Sequence, residues 1–192
     1  MARLVLASSS RYRRELLQRL RLAFDVASPA VDETALPGEA PGMLAARLAQ
    51  AKARAVALQL GGDTWALGSD QVAEVEGRAL GKPGGRDAAI AQLDSMSGRV
   101  VRFHTALCLA HADGRLHAGC DLTEVHFRVL EAAEIERYVD AEQPFDCAGS
   151  FKSEGLGIAL FERIDNRDPT ALIGLPLIAT CRLLRAAGFA LP

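Results

Sequence analysis

Residues 3–20, RLVLASSSRYRRELLQRL, set the pattern that the rest of the chain repeats. RLVLA (3–7) has the length and apolar character of a strand, and Ser8–Ser10 break it. Arg11–Leu22 then places Leu16, Leu17 and Leu20 on one helical face. Phe24–Ala27 reads as a second short strand, residues 28–42 as a loop rich in Pro, Gly and acids, and Met43–Leu60 as an Ala-rich helix. The apolar stripe of that helix is predicted to be Leu44, Leu48, Ala51, Ala55 and Leu58. Trp65–Ser69 and Val72–Glu76 follow as strands with a turn at Gly77, and Asp87–Met96 as a helix ended by Gly98. Val100–Ala110 and Arg115–Leu130 are strand-like and meet at Ala112-Asp113-Gly114, a hairpin signal. Glu131–Ala141 is a helix, and 144–163 are short strands and Gly-dense loops. Leu175–Ala187 closes the chain as a helix, with Pro176 near its first turn and Gly188 past its end. Strands alternating with helices around a long central hairpin predict an α/β fold with a mixed sheet.

The chain of 192 residues, 49% hydrophobic, is long enough to bury a sizeable core. With 22 basic against 24 acidic side chains the net charge is -2, which argues against nucleic acid or anionic lipid as a partner. No run approaches the roughly 20 apolar residues of a membrane span. The start has an apolar stretch before its basic residues, the reverse of a secretory signal, so a cytoplasmic location is expected. Cys108, Cys120, Cys147 and Cys181 are too scattered for CxxC pairing and read as small buried hydrophobes. His104, His111, His117 and His126 form no HExxH pair and give no argument for zinc. Only three of the basic residues are lysine: Lys52 in AQAKA, Lys82 in LGKPG and Lys152 in SFKSEG. In an Arg-biased chain, surviving lysines mark places that need a compact point charge.

Four constellations carry chemistry. In ASSSRYRR (7–14), a strand end opens into a helix, so free N–H groups and the helix dipole point at one spot. Serine hydroxyls with Arg13 or Arg14 would complete a phosphate cradle; the same residues also describe a capped helix with a solvated basic face. The acids Asp32-Glu33, with Asp70 at the end of WALGSD, could hold Mg²⁺ together with a phosphate chain, or be ordinary loop and turn acids. GRALGKPGG (77–85) lacks the spacing and the Ser/Thr of a P-loop, which leaves a tight turn delivering Lys82. CAGSFKSEGLG (147–157) is either a Gly-rich turn or a loop built for close approach to a ligand.

LASSSRYRR, the VDE of 31–33, LAQAKA around Lys52, GSDQV, LGKP, GSFKSEGLG and IGLPL (173–177) occur in that order. Together they resemble the signatures of the Maf family of nucleoside triphosphate pyrophosphatases, across essentially the whole chain. The resemblance implies a Maf/ITPase-like α/β fold: one domain over 1–192, with an elongated mixed sheet flanked by helices and two lobes around a cleft. It implies Asp70 as general base, and Glu33 with Asp70 as ligands of a divalent cation, Mg²⁺ or Mn²⁺. Phosphates would be held by Ser8, Ser10, Arg13, Arg14, Lys52, Lys82 and Lys152. Tyr12, Gln71 and Glu154 resemble the branch that hydrolyses 7-methyl-GTP, although Arg11 and Tyr12 stand where Pro-Trp is expected.

The chemistry of that triple is coherent. N7-methylation leaves a purine cationic, and an aromatic face such as Tyr12 adds a cation–π attraction of roughly 0.5–2 kcal/mol. A buried Glu154 carboxylate would accept from guanine N1–H and the exocyclic amine, and Gln71 would offer both donor and acceptor. Two alternatives are a dTTP/UTP pyrophosphatase of the same family, and a nucleotide-binding regulator of cell division without turnover. A homodimer is a further possibility under the resemblance.

Overall fold

The computed structural model describes residues 2–192 as one mixed seven-stranded sheet with helices on both faces. The elements are β1 (Arg3–Ala7), α1 (Arg11–Gln18), β2 (Asp25–Ala27), α2 (Pro41–Leu60), β3 (Thr64–Val75), β4 (Arg78–Leu80), α3 (Arg86–Met96), β5 (Val100–His111), β6 (Leu116–Phe127), α4 (Ala132–Glu142), β7 (Phe161–Asp165) and α5 (Leu177–Ala186), with a 3₁₀ turn at Leu156–Leu160. Strand order is β2-β1-β3-β5-β6-β7, with β4 paired to β3. The first three strands are parallel and the rest antiparallel. The expected α/β class with a mixed sheet is what forms.

β3 is one strand where the sequence suggested two, because it pairs along its length with β5, from Trp65↔His111 to Glu74↔Arg102. Its side chains alternate between faces. Ala66 and Val72 join the core under α2, whereas Leu67 joins the core under α1 and α5. A third core, around Phe103, Phe127, Phe151 and Phe161, lies at the far end under α3 and α4. β1 pairs with β3 only as far as Ala7↔Gly68, and β4 begins at Ala73↔Leu80. Between them that edge of β3 has no partner strand among the described residues, and the chain leaves β1 there into α1. Such a gap beyond the carboxyl end of a parallel strand is where open α/β sheets bind ligands.

α2 differs instructively from expectation. Its buried face is Leu44, Ala45, Leu48, Ala49, Lys52, Ala53, Val56 and Ala57, while Leu58 is exposed. The helix lies backbone-close on β3: a Cβ at Gly68 would meet Ala49 O and stand 2.6 Å from Ala53 N. The small face decides the rotation, and it carries Lys52 inward. Among the cysteines only Cys108 is buried, and Cys120 is exposed. No described helix is long and apolar enough to cross a membrane.

Among the described residues, two buried polar atoms lack a hydrogen-bond partner: Asp121 Oδ1 and Thr123 Oγ1, on the same face of β6. Burial, then the charge of Asp168, push the Asp121 carboxyl above its ordinary range. The folded state therefore keeps that proton to higher pH than the unfolded chain, and stability falls as pH rises from about 4 through the folded value. Asp121→Asn removes the charge and lets an amide donate to Thr123. It should gain about 1 kcal/mol at neutral pH, roughly 2–4 °C in Tm. Thermal melts from pH 3 to 8 should show that gain vanish below about pH 4.

Candidate active site

The gap beside β3 opens into a cleft of two adjoining parts, one of about 740 Å³ and one of about 150 Å³. Ser10, Tyr12, Arg13, Gln71 and Lys82 line both. Ser8, Glu33, Lys52 and Asp70 line only the larger, and Phe103, Phe151 and Glu154 only the smaller.

The larger part is polar and charged. Ser10 caps α1, accepting from Arg13 N at 3.4 Å, and its own N–H donates to Ser8 Oγ at 3.1 Å. The positive end of the helix thus faces the cleft beside buried Ser8. Arg13 donates from Nε to Gly174 O at 2.9 Å. Burial lowers its pKa, against the opposing pull of Asp70 and Glu33.

At the cleft floor, Lys52 Nζ lies 2.6 Å from Asp70 Oδ1 and 2.8 Å from Glu33 Oε1. A lysine on the packed face of α2 would be costly without such partners. Here its ammonium holds the carboxylates together. Glu33 reaches it from an irregular loop pinned by Arg47, which donates to Thr34 O at 2.9 Å and grips Glu39 through two nitrogens at 2.7 and 2.8 Å. That grip holds the Glu39 carboxyl down at about 2. Asp32 turns into the loop instead, accepting from Thr34 N. Sequence reading missed Arg47, whose charge looks like any exposed helix arginine.

Glu33 and Asp70 bring carboxylate oxygens into one cleft with serine hydroxyls, the donor type a hard divalent cation takes, and both carboxylates here pair with Lys52. A second convergence, Glu124, His126 and Asp165, has ligating atoms within 4.8 Å of one another. Its carboxylates pair with Arg102 of β5 at 2.9 Å and Arg163 of β7 at 2.9 Å, so it is an ion-pair network across β5, β6 and β7 that lines neither part of the cleft.

The smaller part is aromatic at its floor and polar at its rim. Tyr12 lines both parts and carries the Arg11 guanidinium over its ring, 4.7 Å from the centroid. Gln71 is oriented by Thr105 and by two carbonyls. Its Nε2 donates to Thr105 Oγ1 at 2.9 Å, Ala171 O at 3.0 Å and Leu172 O at 3.1 Å. The expected two-way amide is therefore an acceptor only, because its donor is spent. Glu154 stands at the rim and is exposed, contrary to the expectation of a buried carboxylate. Cys147 also lines this part, but burial, then Asp146, push its thiol up to about 12, which excludes it as a nucleophile at neutral pH.

Two residues expected at the phosphates lie elsewhere. Arg14 is exposed on α1 and lines neither part, since one helical step beyond Arg13 turns it away. Lys152 donates to Glu142 O at 2.9 Å and pairs with the Glu142 carboxylate at 3.3 Å. Glu142 also accepts from Leu156 N at 3.0 Å, so the pair pins the 152–157 turn to the end of α4. Lys82, at the exposed turn after β4, does line both parts.

Residues 3–187 match the family model described as Maf-like protein. A relative from Xanthomonas oryzae pv. oryzae, named 7-methyl-GTP pyrophosphatase, is 63% identical over 192 residues, covering 100% of both chains. One of the same name from Burkholderia thailandensis is 57% identical over 194 residues, covering 100% of this chain and 90% of that one. Among solved structures, the Staphylococcus aureus Ham1 protein matches with a TM-score of 0.55 at 15% identity, over 95% of this chain and 99% of that one. A HAM1 protein from Coxiella burnetii gives 0.55 at 19% identity with the same coverage, 95% and 99%. These two likenesses concern the fold. The family match over nearly the whole length, with the full-length relatives, places this chain in the Maf family.

Proposed function

We propose that this cleft hydrolyses 7-methyl-GTP to 7-methyl-GMP and pyrophosphate. The observation that carries the proposal is the division of labour along one cleft. Glu33, Asp70 and Lys52 lie in its larger part, Phe103, Phe151 and Glu154 in the smaller, and Tyr12, Arg13 and Gln71 bridge them. A nucleotide is built the same way, as an anionic chain joined to a flat base. The full-length relatives named 7-methyl-GTP pyrophosphatase support the choice of base.

In this mechanism Asp70 takes a proton from a water that attacks the α-phosphorus. The bond from that phosphorus to the α–β bridging oxygen breaks, and the oxygen leaves with pyrophosphate. Arg13, Lys82, the Ser8–Ser10 segment and the N-terminus of α1 neutralise charge on the phosphates, which is the main work in phosphoryl transfer. A divalent cation, Mg²⁺ or Mn²⁺, held by Glu33 and Asp70 would supply further positive charge at the phosphate oxygens. Lys52, expected at the phosphates, instead holds those two carboxylates in place. Tyr12 stacks on the base, Gln71 Oε1 accepts from a base N–H, and Glu154 favours a cationic ring from the rim.

Because Glu154 is exposed, its contribution is screened by water. Glu154→Gln should therefore reduce the preference for 7-methyl-GTP over GTP only about threefold to fivefold, within the range of an exposed charge pair. Competition kinetics with the two nucleotides would measure it. The proposal as a whole is tested by pyrophosphate release from 7-methyl-GTP, GTP, dTTP and UTP side by side with Mg²⁺ or Mn²⁺. Fastest turnover of 7-methyl-GTP is expected. Preference for a pyrimidine would overturn the substrate assignment, and release from none would overturn the activity.

A further inference from the structure

The IGLPL signature has no side chain in the chemistry above, yet the backbone of its segment holds two residues that do, Gln71 and Arg13. Asp168, 2% exposed, ties that segment at both ends. Its Oδ1 accepts from Thr170 N at 3.0 Å and Thr170 Oγ1 at 2.6 Å, while its Oδ2 accepts from Ile178 N at 2.6 Å in the first turn of α5. Thr170 Oγ1 in turn accepts from Leu177 N at 2.8 Å. One carboxylate and one hydroxyl thus close residues 168–178 into a strap.

The strap aims its carbonyls at the cleft. Ala171 O accepts from Gln71 Nε2 at 3.0 Å and Thr105 Oγ1 at 3.1 Å, and Leu172 O from Gln71 Nε2 at 3.1 Å. Gly174 O accepts from Arg13 Nε at 2.9 Å and Ser69 Oγ at 3.1 Å. Carbonyls only accept, so the amide nitrogen of Gln71 must face the strap and its oxygen must face away. Arg13 is held between the strap and the cleft, with Nε on Gly174 O at 2.9 Å and Nη1 3.5 Å from Ser8 Oγ.

We propose that Asp168 is a positioning residue for base recognition: by clasping the strap it fixes the Gln71 amide as an acceptor. Rotation of the Gln71 amide would present a donor where the base also offers one. The inference rests on the substrate reading above.

The test compares Asp168→Asn and Thr170→Val with the wild type on 7-methyl-GTP and GTP, with Thr170→Ser as the conservative control. Asn cannot accept from Ile178 N through its amide nitrogen, and Val cannot serve Asp168 or Leu177. In both, KM for 7-methyl-GTP should rise about tenfold, the size of one or two lost hydrogen bonds, and its preference over GTP should shrink severalfold. In contrast, kcat at saturation should change less than about threefold, and Thr170→Ser should restore KM. A lower Tm with KM and preference unchanged in a folded variant would overturn the inference, since a purely structural clasp predicts that pattern. If Asp168→Asn fails to fold, the two Thr170 variants decide. If the wild type itself turns over no nucleotide, the substrate reading fails separately. Calorimetric binding of 7-methyl-GMP then decides the strap: weakening in the variants supports it, and unchanged affinity overturns it.

Discussion

Asp70→Asn should lose turnover by roughly 10²–10⁴-fold, the usual worth of a positioned general base, while still binding nucleotide. Asn nearly matches Asp in shape, and its oxygen can still accept from Lys52, which lies 2.6 Å from Asp70 in the wild type. What it loses is the capacity to take a proton and the negative charge shared with Glu33 around that ammonium. Substrate affinity depends instead on Arg13, Lys82 and the helix end, which the substitution leaves in place. Single-turnover kinetics together with calorimetric binding would separate the effects. Turnover within a few-fold of wild type would remove Asp70 from the proton-transfer role.

Gly68→Ala should be strongly destabilising for a change of one methyl group. The added carbon would meet the backbone of α2 at Ala49 O and Ala53 N, and no side-chain rotation relieves contacts with backbone. Overpacking of this kind costs about 1–3 kcal/mol and sometimes more. The helix must move away from β3, and Lys52 on its packed face moves with it. A thermal melt should therefore show a Tm lower by roughly 3–10 °C. Any folded fraction should also turn over substrate more slowly, because Asp70 and Glu33 no longer share one ammonium. Full stability with full activity would show that close packing of α2 on β3 does not set the site.

These two substitutions also mark the boundary of what the sequence made legible. The class of fold was readable because strands and helices alternate with distinct periodicities, and β1, α2, α3, the long hairpin and α4 fall within a few residues of expectation. The pairing of β1 with β3, which opens the cleft, was not readable, since it joins segments nearly sixty residues apart with no turn between them to fix register. The stripe of α2 was misplaced because alanines on every side make its apolar face ambiguous, and the deciding residue, Gly68, lies on another element. Lys82 and Glu33 were legible as charges in loops, whereas Asp70, expected at the end of a strand, lies in the interior of β3 because the two expected strands are one. Lys152 was assigned by the same logic, and its partner Glu142 at the end of α4 takes it out of the cleft. The clasp of Asp168 on the strap was invisible, because its working groups toward the site are carbonyls and every residue supplies one.

The central claim is that water is directed onto the α-phosphorus of 7-methyl-GTP in the Asp70 half of the cleft. Turnover with Mg²⁺ in ¹⁸O-enriched water tests it most directly, by mass spectrometry of both products. The account predicts one ¹⁸O in the phosphate of 7-methyl-GMP and none in pyrophosphate. Label in pyrophosphate, or release of inorganic phosphate in its place, would contradict it.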